Sequence, residues 1–478
     1  RLPADNGGAA QWHRFVWLEA GRDVYEKLIG NWLAPPLWEV RYARFDQGDV
    51  ADRAEEWRVT VAGDGNVRQV RHQLPERQPG ASLSRDQARA VARQEIRRRF
   101  GLDPDALTET SADEQQRPAR ADWQFTYGAP KVDVGKGGEA RVIVAIAGDQ
   151  IAGSGRYVFV PEDWQRAERK RAGRFSLVKN AVTLAIAVTS LAAIIATIIA
   201  WSRGRFDKRA FWLALAVVGV GTLVNGIDSW PTFSMQLKTT EPLTPQIALL
   251  AAGLAFSLLP LTLLASLLAG VAVWVAREHS APDTDVGRLW LTGASAGFFV
   301  AGVEALAAAA ATQDFPRAPS YVNENAWLPW LDAIARSVTT PVLGVAVTII
   351  ALHWLERWTH GWQRRRAVVY VALTLATAAL AAIGANDWTT IVAAGLVGGA
   401  LYTLVFATVL RFDLRLVPAF VAAGAVVRII GNAMLKGTAS GAVYAALEIA
   451  TTLAVAWGIT RYLLRANVSS SPAPLPAS

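Results

Sequence analysis

The 478 residues include no cysteine. Disulfides, thiol catalysis and cysteine-ligated metals are therefore excluded, and the absence suits an oxidising compartment. Only five histidines are present. No Walker-type phosphate loop, dinucleotide-binding glycine fingerprint or serine-centred elbow occurs, so nucleotide-driven and serine-hydrolase chemistries have no motif to rest on. Charge is scarce in one part of the chain only. Residues 175–478 carry 20 Lys/Arg and 14 Asp/Glu, whereas residues 1–174 carry 28 and 26.

What fills the charge-poor part is a series of apolar runs of membrane-spanning length. Nine spans are expected, at about 177–201, 210–228, 247–276, 289–312, 331–354, 367–385, 389–410, 416–434 and 440–463. The third contains Pro260 and the fifth Pro341, where kinks are expected. The fold class is thus an α-helical polytopic membrane bundle preceded by a soluble α+β domain. The net charge of +8 does not point to nucleic acid, because the basic excess lies in loops, where it sets topology. Fourteen basic residues fall on one side of the bundle, among them Arg203, Arg277, Arg357, Arg364–Arg366 and Arg411. Four fall on the other: Lys238, Arg317, Arg336 and Lys436. The positive-inside rule makes the richer side cytoplasmic and places residues 1–176 outside, with the C-terminus in the cytoplasm. The basic run "RAERKRAGR" at 166–174 opposes this, and a further helix before Arg1, giving ten spans in the full protein, would reconcile it. Tryptophans at the span ends, such as Trp230, Trp327, Trp354 and Trp358, occupy belt positions.

The N-terminal part repeats itself. "RVTVAGDGNVRQVRHQLPE" (58–76) and "RVIVAIAGDQIAGSGRYVFVPE" (141–162) each alternate, turn at a Gly/Asp pair, run back and end in Pro-Glu, a hairpin signal in both cases. A strand precedes each, "LWEVRYARF" at 37–45 and "DWQFTYG" at 122–128. Before the second strand, Ser84 caps a predicted helix ending near Gly101, with Ala88, Val91, Ala92, Ile96 and Phe100 on one face. The first copy's helix is either "AGRDVYEKLIGNWL" or a segment preceding Arg1. The expected organisation is a first α+β unit at 1–80, a second at 81–165, a basic juxtamembrane segment at 166–176, the bundle at 177–465 and a disordered tail at 466–478.

On "LSRDQARAVA", the "DWQFTY" strand and the glycine-containing hairpin, each unit resembles PepSY-type domains, which implies an extracytoplasmic module suggested to bind or inhibit peptidases. A plain α+β spacer is the competing reading. His13 and His72 have no acid or nucleophile at a telling spacing and read as ordinary core or surface residues.

Three ionisable residues interrupt the spans: Glu304, Arg428 and Glu448. Intramembrane charge is costly and usually faces the bundle interior. Arg428 and Glu448 lie at matching depths on consecutive antiparallel spans, about 10 Å from the outer end at 1.5 Å per residue, and an ion pair between them is expected. Asn432 stands one turn from Arg428. Together with Glu304 they form a candidate polar layer: a ligand or ion site, a degenerate active site, or a buried pair fixing helix register. Glu304 has no assigned partner. Another arrangement is cofacial by spacing, His353, Glu356 and His360 in "ALHWLERWTHGWQRRR", and a catalytic zinc uses such ligands. Its place at a basic, tryptophan-rich span end makes it an interfacial anchor instead. No metal and no cofactor are expected.

Domain order, with "WEVRYARF", "GNVRQVRHQLPE", "RADWQFTYG" and "GDQIAGSGRYVFVPEDWQRAER" as carriers, resembles a bacterial group within the CPBP family of CAAX-protease and bacteriocin-processing intramembrane proteases. Active members use Glu-Glu-x-x-x-Arg, Phe-x-x-x-His and His-x-x-x-Asn/Asp motifs to activate water. Here Ala305 follows Glu304 and Ala308 stands four positions on, so there is neither a Glu pair nor the arginine; Ile349 precedes His353 by four, and Arg357 and Arg364 follow His353 and His360 by four. No catalytic residue carries over. The resemblance implies a non-catalytic or divergent member with a binding or regulatory role at the bacterial cytoplasmic (inner) membrane. Its partners would be the lipid bilayer and a peptide or membrane protein. The alternatives are a transporter using the Glu/Arg layer, which would lack recognisable inverted repeats, and an extracytoplasmic sensor that needs a partner protein.

Overall fold

The computed structural model describes residues 2–3, 7–45, 49, 52, 54–278, 285–310, 319–384 and 388–468. His279, Arg317 and most of the expected tail, 469–478, lie outside the described residues. The chain forms two compact units. One holds the described residues up to Arg169 together with Trp230–Gly253, and the other holds Lys170–Ser229 and the described residues beyond Leu254.

The first unit is built on one antiparallel sheet of eight strands, in the order β1-β2-β3-β4-β8-β7-β6-β5. These are β1 (Leu2–Pro3), β2 (Leu37–Ala43), β3 (Glu56–Ala62), β4 (Val67–Gln73), β5 (Thr108–Arg117), β6 (Arg120–Gly128), β7 (Glu139–Ala147) and β8 (Gln150–Phe159). Both hairpins read from the sequence form, and both preceding strands pair with them. The two copies join edge to edge through β4 and β8, at Val70↔Ser154 and Arg71↔Gly153. Helix α3 (Arg85–Phe100) starts with a full capping box between Ser84 and Gln87 and ends at Gly101, whose φ of 63° is left-handed. Its Ala88, Ala92 and Ile96 are completely buried against Phe125, Val142 and Val144 of the second copy.

Helices α1 (Gly7–Glu19) and α2 (Arg22–Leu28) precede the first copy in sequence. Yet Phe15, Val16, Tyr25 and Leu28 join the same cluster as β6 and β7. Strand β5, "TETSADEQQR", is a finding the sequence did not signal. It pairs with β6 along nine residues as a polar edge strand, a composition that discourages further strand pairing.

The second unit is helical. Its helices are α4 (Glu162–Ser202), α5 (Lys208–Asp228), α7 (Leu243–Glu278), α8 (Val286–Ala310), α9 (Pro329–Thr359), α10 (Arg366–Gly384), α11 (Trp388–Val405), α12 (Val417–Lys436) and α13 (Ala439–Val468). A short α6 (Trp230–Ser234) follows α5 and, like the first turns of α4 and α7, is counted with the first unit. Nine helices among the described residues are long and apolar enough to cross a membrane, at the positions expected from the sequence. Pro260 and Pro341 both sit inside continuous helices. The basic run at 166–174 is helical, forming early turns of the 41-residue α4.

Glycine decides the closest helix contacts. A Cβ on Gly293 would stand 2.5 Å from the Leu416 carbonyl oxygen, and one on Gly297 would stand 2.3 Å from that of Phe420. These small residues, four apart, let α8 and α12 approach backbone to backbone. Gly395, Gly398 and Gly399 do the same for α11 against Thr374, Thr377 and Ala378 of α10.

Candidate functional site: two polar clusters in the helical bundle

The α8–α12 contact explains where Glu304 lies. Gly293 meets Leu416 and Gly297 meets Phe420, so the two helices run in the same direction in constant register. Seven residues beyond Gly297 is Glu304, and eight beyond Phe420 is Arg428, at the same level by that register. The Arg428 charge acts on Glu304, and both act on Tyr402 of α11. The two side chains stop short of a contact ion pair. Arg428 Nη1 lies back over Gly424, 3.8 Å from where a Cβ would stand, as helical side chains lean toward the N-terminus.

The expected Arg428–Glu448 pair does not form. Glu448 instead accepts a hydrogen bond from Asn323 Nδ2, and its charged neighbours are Lys436, Asp332 and Glu324. The physical reason is that a connecting segment, residues 319–328, folds down onto the helix ends and competes for α13. Consecutive helices were the natural partners on sequence separation, but the parallel neighbour and the loop supply the actual ones.

That segment organises a second, larger cluster. Lys436, at the last turn of α12, donates to both carboxylate oxygens of Glu324 at 2.9 and 3.0 Å, with the two side chains only 4% and 9% exposed. The cation also complements the helix C-terminus. Asn432 Oδ1 accepts from the Ser320 backbone N–H at 3.3 Å. Asp332, fully buried, accepts from Arg336 Nε at 2.6 Å and from Asn225 Nδ2 of α5.

Asp228 closes the cluster at the end of α5. Its Oδ1 accepts from the Leu328 N–H at 2.9 Å and its carbonyl oxygen from that of Trp327 at 3.0 Å. Leu328 is the N-cap of α9 and has no capping side chain of its own, so Asp228 provides the cap from another helix. Asp228 Oδ2 is buried without a hydrogen-bond partner.

The cluster therefore gathers Asp228, Asp332, Glu324 and Glu448 with Arg336 and Lys436. Glu304 and Arg428 form a separate group. Of the candidate residues read from the sequence, Glu448 and Asn432 belong to the first, Glu304 and Arg428 to the second. Glu324, Asn323 and Asp332 were not singled out there, and Lys436 entered only as a loop charge that sets topology, since nothing in a loop or span-end sequence signals a common destination.

His353 and His360 lie at the other end of α9. Twenty-one residues separate Asp332 from His353, about 30 Å along a helix. His360 is the C-cap of α9, with a left-handed φ of 50°, so its side chain leaves the helical face shared by His353 and Glu356. Among the described residues, no three His, Asp or Glu side chains gather as a metal site.

The α+β unit has a concavity of about 440 Å³, lined by Glu56, Arg58, Arg71, His72, Gln73 and β7–β8 residues. Burial by itself raises the Glu56 carboxyl, but hydrogen bonds and charge from Arg41 and Arg58 outweigh it and hold Glu56 below the usual carboxylate range. An acid held ionised by two guanidinium groups is a structural anchor rather than a proton donor. Compared with known proteins, the chain matches no family model, no curated protein and no solved structure.

Proposed function

We propose that the chain is a non-catalytic or divergent CPBP-like protein of the bacterial cytoplasmic membrane, with a binding or regulatory role at the envelope. Its α+β unit corresponds to two PepSY-like copies, faces the extracytoplasmic side and engages a peptide or membrane-protein partner. The observation that carries this reading is the surroundings of Glu304. The active members of the family it resembles set a Glu pair beside histidines to activate water, a general base with partners that share the proton transfer. Glu304 is a single carboxylate, and the groups that couple to it are Arg428 and Tyr402. The larger cluster is occupied in tying the 319–328 segment to α5, α9, α12 and α13, which is the arrangement of a scaffold. The distribution of fourteen basic loop residues against four supports the orientation.

The test is cleavage of a labelled peptide by the purified full chain in detergent micelles. No turnover is expected. Robust cleavage abolished by Glu304→Gln would overturn the reading.

A transporter is the second reading, favoured by one observation: fully buried Asp332 feels the charge of Asp228, and paired intramembrane acids serve proton pathways. Solute accumulation in reconstituted vesicles that stops on Asp332→Asn would favour it over the first.

A further inference from the structure

The two copies in the α+β sheet carry the same face but bury it differently. Strand β2 reads Trp38-x-Val40-x-Tyr42 and strand β6 reads Trp123-x-Phe125-x-Tyr127. The registers correspond. Trp38, Val40 and Tyr42 pair with Val61, Val59 and Trp57; Trp123, Phe125 and Tyr127 pair with Ile146, Val144 and Val142. Directly opposite residues share a face, so each copy presents a six-residue apolar patch rich in aromatics.

In the second copy every member of that patch is buried, from 0% to 7% exposed. Helix α3 lies over it through Ala88, Ala92 and Ile96, and Trp123 Nε1 donates to the Leu83 carbonyl at 2.9 Å. In the first copy Tyr42 is 66% and Trp57 39% exposed, and none of the six belongs to a buried core cluster. Among the described residues, no helix packs on β2, β3 or β4 as extensively as α3 packs on β6 and β7. The helices that precede the first copy have joined the second copy's core instead. The reverse face of β2–β3 is charged and satisfied, with Arg41 and Glu56 paired at 4% and 9% side-chain exposure. Among the described residues, the first copy is thus a sheet module whose apolar side lacks a helix like α3.

We propose that this face docks an amphipathic helix from a partner protein, one with small residues at i and i+4 and a larger apolar residue at i+8, like Ala88, Ala92 and Ile96 of α3. The sister copy specifies the occupant. Large side chains on the sheet, here Trp38, Tyr42 and Trp57, require small ones on the helix for close approach. The width also fits, because three strands at about 4.8 Å spacing match one helix of about 10 Å diameter. The proposal rests on the binding reading above and names its partner class.

The probe is a fluorescein-labelled peptide with the α3 sequence, residues 83–101, added to the full chain in detergent micelles and followed by anisotropy. Saturable binding is expected. Tyr42→Glu and Trp57→Glu should each weaken it about thirtyfold, the scale of an aromatic hot spot. Arg71→Glu, on the opposite face, should leave it unchanged, as should a scrambled peptide fail to bind. Both aromatics are already exposed, and circular dichroism of the variants verifies that the sheet persists. No saturable binding, or binding indifferent to both aromatic variants, overturns the proposal. So does efficient disulfide cross-linking between two copies through Tyr42→Cys, which would make the occupant a second copy. Loss of wild-type peptide binding to micelles combined with Trp57-dependent binding to phosphatidylglycerol vesicles would make it a lipid surface. Cleavage of the bound probe would instead overturn the non-catalytic reading and leave the docking face standing.

Discussion

Replacing Lys436 with methionine removes the cation that holds Glu324 and leaves a carboxylate 9% exposed without its partner. At 2.9 Å and an effective dielectric constant of about 20, the gross attraction is about 6 kcal/mol. Desolvation of both groups offsets much of that in the intact pair, so its net contribution is far smaller. Breaking the pair from one side is different, because the buried charge then remains unopposed, at a cost of about 3–5 kcal/mol. That corresponds to a shift of at least a hundredfold in the folding equilibrium. The 319–328 segment should also loosen, since Asn323, next to Glu324, carries the hydrogen bond to Glu448. Stability is read by SDS titration of the full chain in mixed micelles with tryptophan fluorescence, and the segment by hydrogen exchange. The double variant Lys436→Met/Glu324→Leu should recover most of the loss, because neither charge is then stranded. If Lys436→Met alone costs under about 1 kcal/mol, or the double variant is no better than the single, the pair is not buried as described and the reasoning fails.

Other consequences are equally direct. Gly297→Ala places a Cβ 2.3 Å from the Phe420 carbonyl oxygen and should cost about 1–3 kcal/mol. Gly302→Ala, on the same helix with open space around it, should be neutral or slightly stabilising, and equal melting temperatures for the two variants would refute the α8–α12 register. Tyr127 is 1% exposed and its hydroxyl has no hydrogen-bond partner, while burial pushes its pKa up to about 12. Tyr127→Phe should therefore leave stability equal or raise it by up to about 1 kcal/mol, and a clear loss would reveal a missed partner. His13 Nδ1 lies 3.0 Å from Tyr25 Oη. Burial lowers the His13 pKa below its ordinary value of 6.5, against a hydrogen bond with the Ala34 backbone that raises it. The depressed folded value means that its contribution is complete above about pH 6.5 and is lost as pH falls through and below that value. Protection factors in α1 and α2, corrected for the pH dependence of intrinsic exchange, should fall between pH 7.5 and 5 and lose that dependence in His13→Phe. An unchanged dependence in the variant would assign the effect elsewhere.

Much of the secondary structure was legible because local physics specifies it. Apolar runs of membrane length, the Ser84 cap with Gln87 three residues on, and strand alternation ending at Gly/Asp turns each act within a few residues. Strand β5 escaped because its "TETSADEQQR" has no apolar alternation; it is held by pairing along β6, a contact made possible only once β6 exists. The candidate polar residues were legible as individuals, since an ionisable group inside an apolar run stands out in any reading. Their partners were not. Arg428 and Glu448 are close in sequence and on consecutive helices, yet Arg428 couples to Glu304, more than a hundred residues earlier.

By itself, the sequence determined that this is a multi-span membrane protein with an α+β domain in which a strand-and-hairpin pattern repeats, because membrane length and strand alternation are properties of short windows. Tertiary structure alone decided which charges meet. Helix order in a bundle follows from glycine contacts such as Gly293–Leu416 and Gly297–Phe420, and these depend on packing between distant segments. It also decided which copy of one sheet pattern lies beneath a helix and which stays open. Trp38-x-Val40-x-Tyr42 and Trp123-x-Phe125-x-Tyr127 carry nearly the same local information. Only the packing of α3 and of the first two helices on the second copy separates a core from an exposed apolar face.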